Sequence, residues 1–286
     1  MLHLTVRSRP RGALAVALLV LSVAGGCVQS PGSNVHARGD AAATPAAKRL
    51  PGYLQPHERP DGLALLPAPP AEGSSRFALD VDIHRAMRDL RGTPRWQLAA
   101  ADADVSFPHA ARQFSCALGV AITPADTPSL YVLMQRAMVD AGQSTASTKD
   151  RYQRRRPFVV YDETTCVPAD EASLRTAASY PSGHAAAGWA WALIMAEVAP
   201  ERATQVLRRG YEFGESRVVC GVHWQSDVDT GRTIAAAAVA RLHANAEFTA
   251  QLDAAKREVA AARAAGKPVE ADCVAEARAL ERTAAR

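Results

Sequence analysis

Residues 185–198 read AAAGWAWALIMAEV, and this stretch decides the fold class. Its apolar side chains leave a helix on every side instead of along one stripe, so the helix must be surrounded by protein. It is too short to cross a bilayer, and Glu197 and Pro200 close it, which argues against a membrane span. Working outward, apolar periodicity predicts further helices over 78–91, 95–104, 125–142, 146–155, 170–178, 201–215 and 223–245, with the core helix over 184–198. Thr123, just ahead of Pro124 and Asp126, reads as an N-cap for the 125–142 helix. Residues 246–286 are rich in Ala, Arg and Glu, break at Gly266-Lys267-Pro268, and read as peripheral amphipathic helices. No segment shows strand alternation or an internal repeat. The expectation is an all-α fold, a single-domain helical bundle around a core helix near 184–198. The 48% hydrophobic and 6% aromatic content agrees with that.

Upstream, the composition changes twice. Arg7, Arg9 and Arg11 precede the apolar run 13–23 and the small residues Ala24-Gly25-Gly26, so residues 1–27 read as a signal peptide. Ala24-Gly25-Gly26-Cys27 is also a lipobox-like sequence, which would make Cys27 a lipidation site and the protein an outer-membrane lipoprotein. Ordinary cleavage nearby, with Cys27 incidental or removed, is the other reading. Residues 28–50 read as a flexible linker and 51–286 as the folded domain, beginning with a proline-rich segment, 51–70, that wraps the surface in extended form. Without the leader, Lys plus Arg falls from 33 to 30 against 29 Asp plus Glu. A nearly neutral chain gives no reason to expect nucleic acid as a partner, and any membrane contact is expected only through the lipid anchor. The expected location is the periplasm.

Cys116, Cys166, Cys220 and Cys273 form an even set in an exported chain, which points to two disulfides. Three pairings are open. Cys166 and Cys220 flank the candidate site and are the favoured pair, leaving Cys116 with Cys273. No CxxC spacing occurs, which weighs against zinc.

Three stretches carry chemistry. In KDRYQRRRP (149–157), Lys149 and Arg156 are seven apart, so on one helix both leave the same face before Pro157 ends it, and together they can clamp an oxyanion. Alone, a solvated basic face explains the run better. In SYPSGH (179–184), Ser182 and Gly183 open the apolar helix, where free N–H groups and the helix dipole suit phosphate, and His184 sits at the rim. Alone, that is an ordinary capped turn. In SRVVCGVHWQSD (216–227), His223 and Asp227 are four apart on a predicted helix. The carboxylate can fix one imidazole nitrogen there and leave the other as a nucleophile, with Arg217 as a third cation. Alone, that is a surface pair as readily as a site.

Taken together, Lys-x6-Arg-Pro, Pro-Ser-Gly-His and Ser-Arg-x5-His-x3-Asp occur in order at fixed internal spacings. On these residues the sequence resembles the type 2 phosphatidic acid phosphatase superfamily, which includes the vanadium haloperoxidases. More closely it resembles the bacterial class A non-specific acid phosphatases, through SYPSGH, GESRVVCGVHWQSDVD (214–229), LPAPPAEG (66–73) and GTPRW (92–96). The similarity covers roughly residues 52–250. Ala185 and Ala178 depart from it, standing where close relatives often carry Thr and Gly. The resemblance implies a metal-independent acid phosphatase that takes a broad range of phosphomonoesters through a phosphohistidine on His223, with no cofactor, and a capacity for phosphotransfer to alcohols. Asp227 would orient His223, and His184 would protonate the leaving group. Lys149, Arg156, Arg217, Ser182 and Gly183 would hold the phosphoryl oxygens. Homodimers are common among such enzymes. The competing expectations are a vanadium-dependent haloperoxidase, a lipid phosphatase, for which internal membrane spans are missing from the pattern, and a non-catalytic phosphate binder.

Overall fold

A computed structural model of the chain describes residues 50–269 and 271–281. Among the described residues there is no strand, and ten helices of seven residues or more build the fold. They are α1 (Ser75–Arg88), α2 (Pro94–Ala101), α3 (His109–Leu118), α4 (Pro128–Gln143), α5 (Ala146–Tyr152), α6 (Gly183–Val198), α7 (Ala203–Val219), α8 (Gln225–Leu242), α9 (Ala246–Ala264) and α10 (Cys273–Glu281). The all-α bundle expected from the sequence is the fold observed. The leader at 1–27, with Cys27, and the linker up to residue 49 lie outside the described residues.

α6 is the core helix. Ala185, Ala186, Ala187, Gly188, Ala190, Trp191, Ala192, Ile194, Met195 and Val198 are all buried. α7, α8 and α4 pack around it, with α9 behind. Its small residues permit that crowding. A Cβ on Gly188 would sit 2.3 Å from the Phe213 ring, and one on Gly210 would sit 2.3 Å from Ala192 Cβ, so α6 and α7 meet nearly backbone to backbone. Trp191 fills the space toward α4 and donates its indole N–H to Met134 O at 2.8 Å, satisfying the one polar atom of a fully buried side chain.

The helix starts follow local chemistry. Ser74, Thr93, Ser182 and Asn245 each accept an N–H from the first turn of α1, α2, α6 and α9. The expected cap at Thr123 is displaced. Its hydroxyl accepts from Asp126 N at 3.0 Å, but it closes a separate turn, and α4 starts one turn later at Pro128. α3 was not expected at all, although Ala110, Ala111, Phe114, Ala117 and Leu118 are its buried stripe. The 170–178 helix shrinks to short turns at Pro168–Asp170 and Glu171–Leu174. The proline-rich start is not simply extended either. It has helical turns at Pro56–Glu58 and Gly62–Leu65, and it buries Tyr53, Leu54 and Leu66.

Both favoured cysteine pairs are joined. Cys166 and Cys220 have Cα atoms 4.9 Å apart, and Cys116 and Cys273 have theirs 5.4 Å apart. The first ties the 161–178 segment to the end of α7. The second ties α10 to α3.

Candidate active site

The N-terminus of α6, the end of α7 with the turn after it, and the chain leaving α5 converge at one end of the bundle. Backbone bonds lock them together. Ser182 N donates to Asp227 O at 2.9 Å and Ser179 N donates to Arg154 O at 2.8 Å. Gly231 lets α8 come this close, since a Cβ there would lie 2.6 Å from Ser182 O.

Two geometric expectations are corrected. Lys149 and Arg156 do not share a helix face. α5 ends at Tyr152, Gln153 turns the chain with φ 45, and Arg156 is extended with ψ 152, as its position before Pro157 favours. The loop brings the two cations together instead. Lys149 Nζ donates to Ala178 O at 2.8 Å, and Arg156 Nη2 donates to the same oxygen at 3.2 Å. His223 is not on a helix with Asp227 either. α8 begins at Gln225, and His223 lies in the turn that Gly221, with φ +79, opens after α7. Asp227, in the first turn of α8, reaches back to accept Trp224 N at 2.9 Å and lies 3.3 Å from His223 Nδ1.

These contacts set the His223 tautomer. Arg156 Nη1 can only donate, and it lies 3.0 Å from His223 Nε2, so Nε2 offers its lone pair and Nδ1 carries the proton toward Asp227. Ser179, given no role of its own in the sequence, donates to Asp227 Oδ2 and lies 3.3 Å from Nδ1. Arg154, read as part of a basic face, donates to Asp227 Oδ1 at 2.6 Å and to Asp80 Oδ2 at 2.8 Å. The readable signal was alternation. In the extended run after Gln153, Arg154 and Arg156 turn inward and Arg155 is exposed.

Positive charge gathers here with no carboxylate in direct contact with it. Among the described residues Lys149, Arg156 and Arg217 have no ion-pair partner, and the buried Arg217 Nε and Nη1 have no hydrogen bond at all. Burial, then repulsion from Arg156, pushes Lys149 down to about 7 and Arg217 down to about 9. Burial pushes Arg156 down to about 10. The N–H groups of Gly183 and His184 add two unpartnered donors at the start of α6, while Ser182 Oγ caps that helix by accepting from Ala185 N at 3.2 Å. His223 is held well below its usual range by burial and then by Arg156 and Lys149, which favours its neutral form.

His184 is half-buried and donates from Nε2 to Ala103 O at 2.9 Å. Burial and the nearby Arg217 push it down to about 3. It is therefore neutral without a ligand, whereas a group that protonates the leaving oxygen must first gain a proton. Of the two departures from the resemblance, Ala178 takes part through its carbonyl, which any residue supplies, and Ala185 N bonds the capping Ser182. Every site residue singled out in the sequence falls in this one region.

A helical bundle that ends in uncompensated cations around two neutral imidazoles is built to receive a phosphoryl-like oxyanion. Residues 129–249 match the PAP2 superfamily. The chain is 47% identical to a non-specific acid phosphatase of Providencia stuartii over 209 residues, covering 73% of this chain and 84% of the relative. It is 41% identical over 215 residues to a non-specific acid phosphatase of Salmonella typhimurium, covering 75% and 86%. With an acid phosphatase of Zymomonas mobilis the identity is 39% over 207 residues, covering 72% and 78%. The chain belongs to the PAP2 superfamily, in the family of the non-specific acid phosphatases.

Proposed function

We propose that the protein is a metal-independent acid phosphatase that hydrolyses a broad range of phosphomonoesters through a phosphohistidine on His223. One observation carries this reading. His223 Nε2 keeps its lone pair within the cation cradle, 3.0 Å from Arg156, while Nδ1–H faces Asp227.

A phosphomonoester dianion supplies the charge that Lys149, Arg156 and Arg217 lack. The Gly183 and His184 N–H groups and the Ser182 hydroxyl proton complete the donor set. Nε2 then forms a bond to phosphorus as the bond to the leaving oxygen breaks. Proton transfer from Nδ1–H is not needed, since Asp227 balances the imidazolium charge. The dianion also raises the proton affinity of His184, so His184 gains the proton it lacks in the empty site. It gives that proton to the departing alkoxide from Nδ1, the nitrogen not bonded to Ala103 O. In the second half, water attacks phosphorus, His184 takes its proton, and the P–N bond breaks to release phosphate. An alcohol in place of water gives phosphotransfer. The cradle's positive charge supplies the electrostatic stabilisation that a metal would otherwise give, and it repels a divalent cation.

Export to the periplasm through residues 1–27, with Cys27 as a lipid anchor, belongs to the same proposal. It is supported by the apolar leader and by two cystines in one domain. Incorporation of labelled fatty acid in wild type but not in Cys27→Ser tests the anchor.

The test of the function is trapping of phosphoprotein from labelled p-nitrophenyl phosphate with an alkaline denaturing quench. Wild type should yield an acid-labile, base-stable phosphoprotein. His223→Ala should yield none and lose turnover by at least about 10⁴-fold while keeping its fold. A His223→Ala variant that still turns over overturns the nucleophile.

A further inference from the structure

The charged groups behind Asp227 form a chain that the reaction above does not use. Asp80, on α1, is 2% exposed. Its Oδ1 accepts Ser226 N at 2.9 Å, and its Oδ2 accepts Ser226 Oγ at 2.6 Å and Arg154 Nη2 at 2.8 Å. Arg154 Nη1 reaches Asp227 Oδ1 at 2.6 Å and Ser226 Oγ at 2.8 Å, and the guanidinium lies over the Trp224 ring at 5.3 Å. Asp227 is thus gripped on both oxygens. Oδ1 belongs to Arg154, while Oδ2 takes Ser179, Trp224 N and the His223 side. With Oδ2 already held by Ser179 and Trp224 N, a planar fork anchored at its other end fixes Oδ1 and completes the rotation of the carboxylate.

We propose that Arg154, fixed by Asp80, is a positioning residue for the proposed nucleophile: it sets the Asp227 carboxylate so that Oδ2 holds the Nδ1–H tautomer of His223. Arg154 touches neither substrate nor the reacting atoms. It acts through Asp227, and the inference rests on the reading of His223 above. Its charge matters separately from its shape. The charged and titratable groups facing Asp227 are Arg154 on the chain after α5, Lys149 and Arg156 across the cradle, the Tyr180 phenol before α6, and His223 in the turn after α7. Arg154 is the one cation among these in direct ion pairing with the carboxylate. Its removal makes protonation of the His223–Asp227 pair easier.

Two variants separate shape from charge. Arg154→Lys keeps the charge and loses the fork. The double variant Asp80→Asn/Arg154→Gln removes cation and far carboxylate together, so no buried Asp80 charge is stranded. Arg154→Lys should lower kcat about 10- to 100-fold with KM little changed, and keep the acid limb of kcat/KM in place. The double variant should show the same fall in kcat and move that limb to higher pH. Wild-type kcat in either folded variant overturns the inference. So does an unmoved limb in the double variant, or a loss of activity in both that follows the folded fraction alone, which would make Arg154 structural. His223→Ala keeps the two readings apart. If it is inactive while the Arg154 variants behave as wild type, only the role of Arg154 fails.

Discussion

Arg209 and Arg217 lie two turns apart on α7, both nearly sealed from solvent. Arg209 is saturated. Asp102 takes both of its terminal nitrogens, Nε reaches Glu276 at 3.1 Å and Gln113 O at 3.0 Å, and Gln113 Oε1 receives a further bond. Burial opposes its charge, but Asp102 and Glu276 outweigh that and hold its pKa above the ordinary value. Among the described residues Arg217 has no ion-pair partner, its Nε and Nη1 have no hydrogen bond, and burial followed by repulsion from Arg156 pushes it down to about 9. One helix thus carries a cation whose needs the fold meets and another whose needs it leaves to a ligand. A buried charge without a partner opposes folding, so its survival points to an anion that arrives later.

Substitution of the two arginines breaks the comparison most sharply. Arg217→Met should cost about 10²–10³-fold in kcat/KM, the size of a lost oxyanion donor, with a melting temperature unchanged or higher. Arg209→Met strands Asp102 and should destabilise the fold by about 3–5 kcal/mol, with most activity kept per folded molecule. Matched kinetics and denaturant melts on both variants check this, and equal stability losses would erase the distinction. Next in size, inorganic phosphate at a hundredfold excess over its Kd should stabilise wild type by about 2.7 kcal/mol. Arg217→Met should lose most of that shift.

Smaller still is the pH effect. Lys149, lowered to about 7, is charged below that pH and neutral above it, so kcat/KM should fall as pH rises through about 7. The bound dianion favours charged Lys149, so the same limb in kcat should lie higher. Lys149→Arg, which stays protonated, should shift the kcat/KM limb upward. Smallest is the effect of EDTA, which should leave turnover unchanged. Chelator sensitivity would replace the cation cradle with a metal.

The sequence carried the bundle, its core helix and the set of polar side chains that gather at one end of it. What it hid was how the chain bends between the helices. Pro157 marked where a helix must end, but α5 stops earlier, at Tyr152, and the turn at Gln153 puts Arg154 behind Asp227 instead of on a solvated face. His223 and Asp227 met at the expected spacing for an unexpected reason, since a side chain at the third position of a helix reaches back over its own start. α3 was missed although its apolar stripe was plain, because it starts after Pro108 with no capping side chain to mark it. The neutral state of His184 depends on its neighbours across the fold, which no local pattern reports.

The Cys116–Cys273 bridge encloses every residue assigned to the site. The Cys166–Cys220 bridge draws a smaller ring inside it, around Ser182, Gly183, His184 and Arg217. The molecule therefore tolerates being cut. A protease that severs the exposed 168–177 stretch breaks the backbone once, yet the fragments stay covalently joined and run as one species until a reductant separates them.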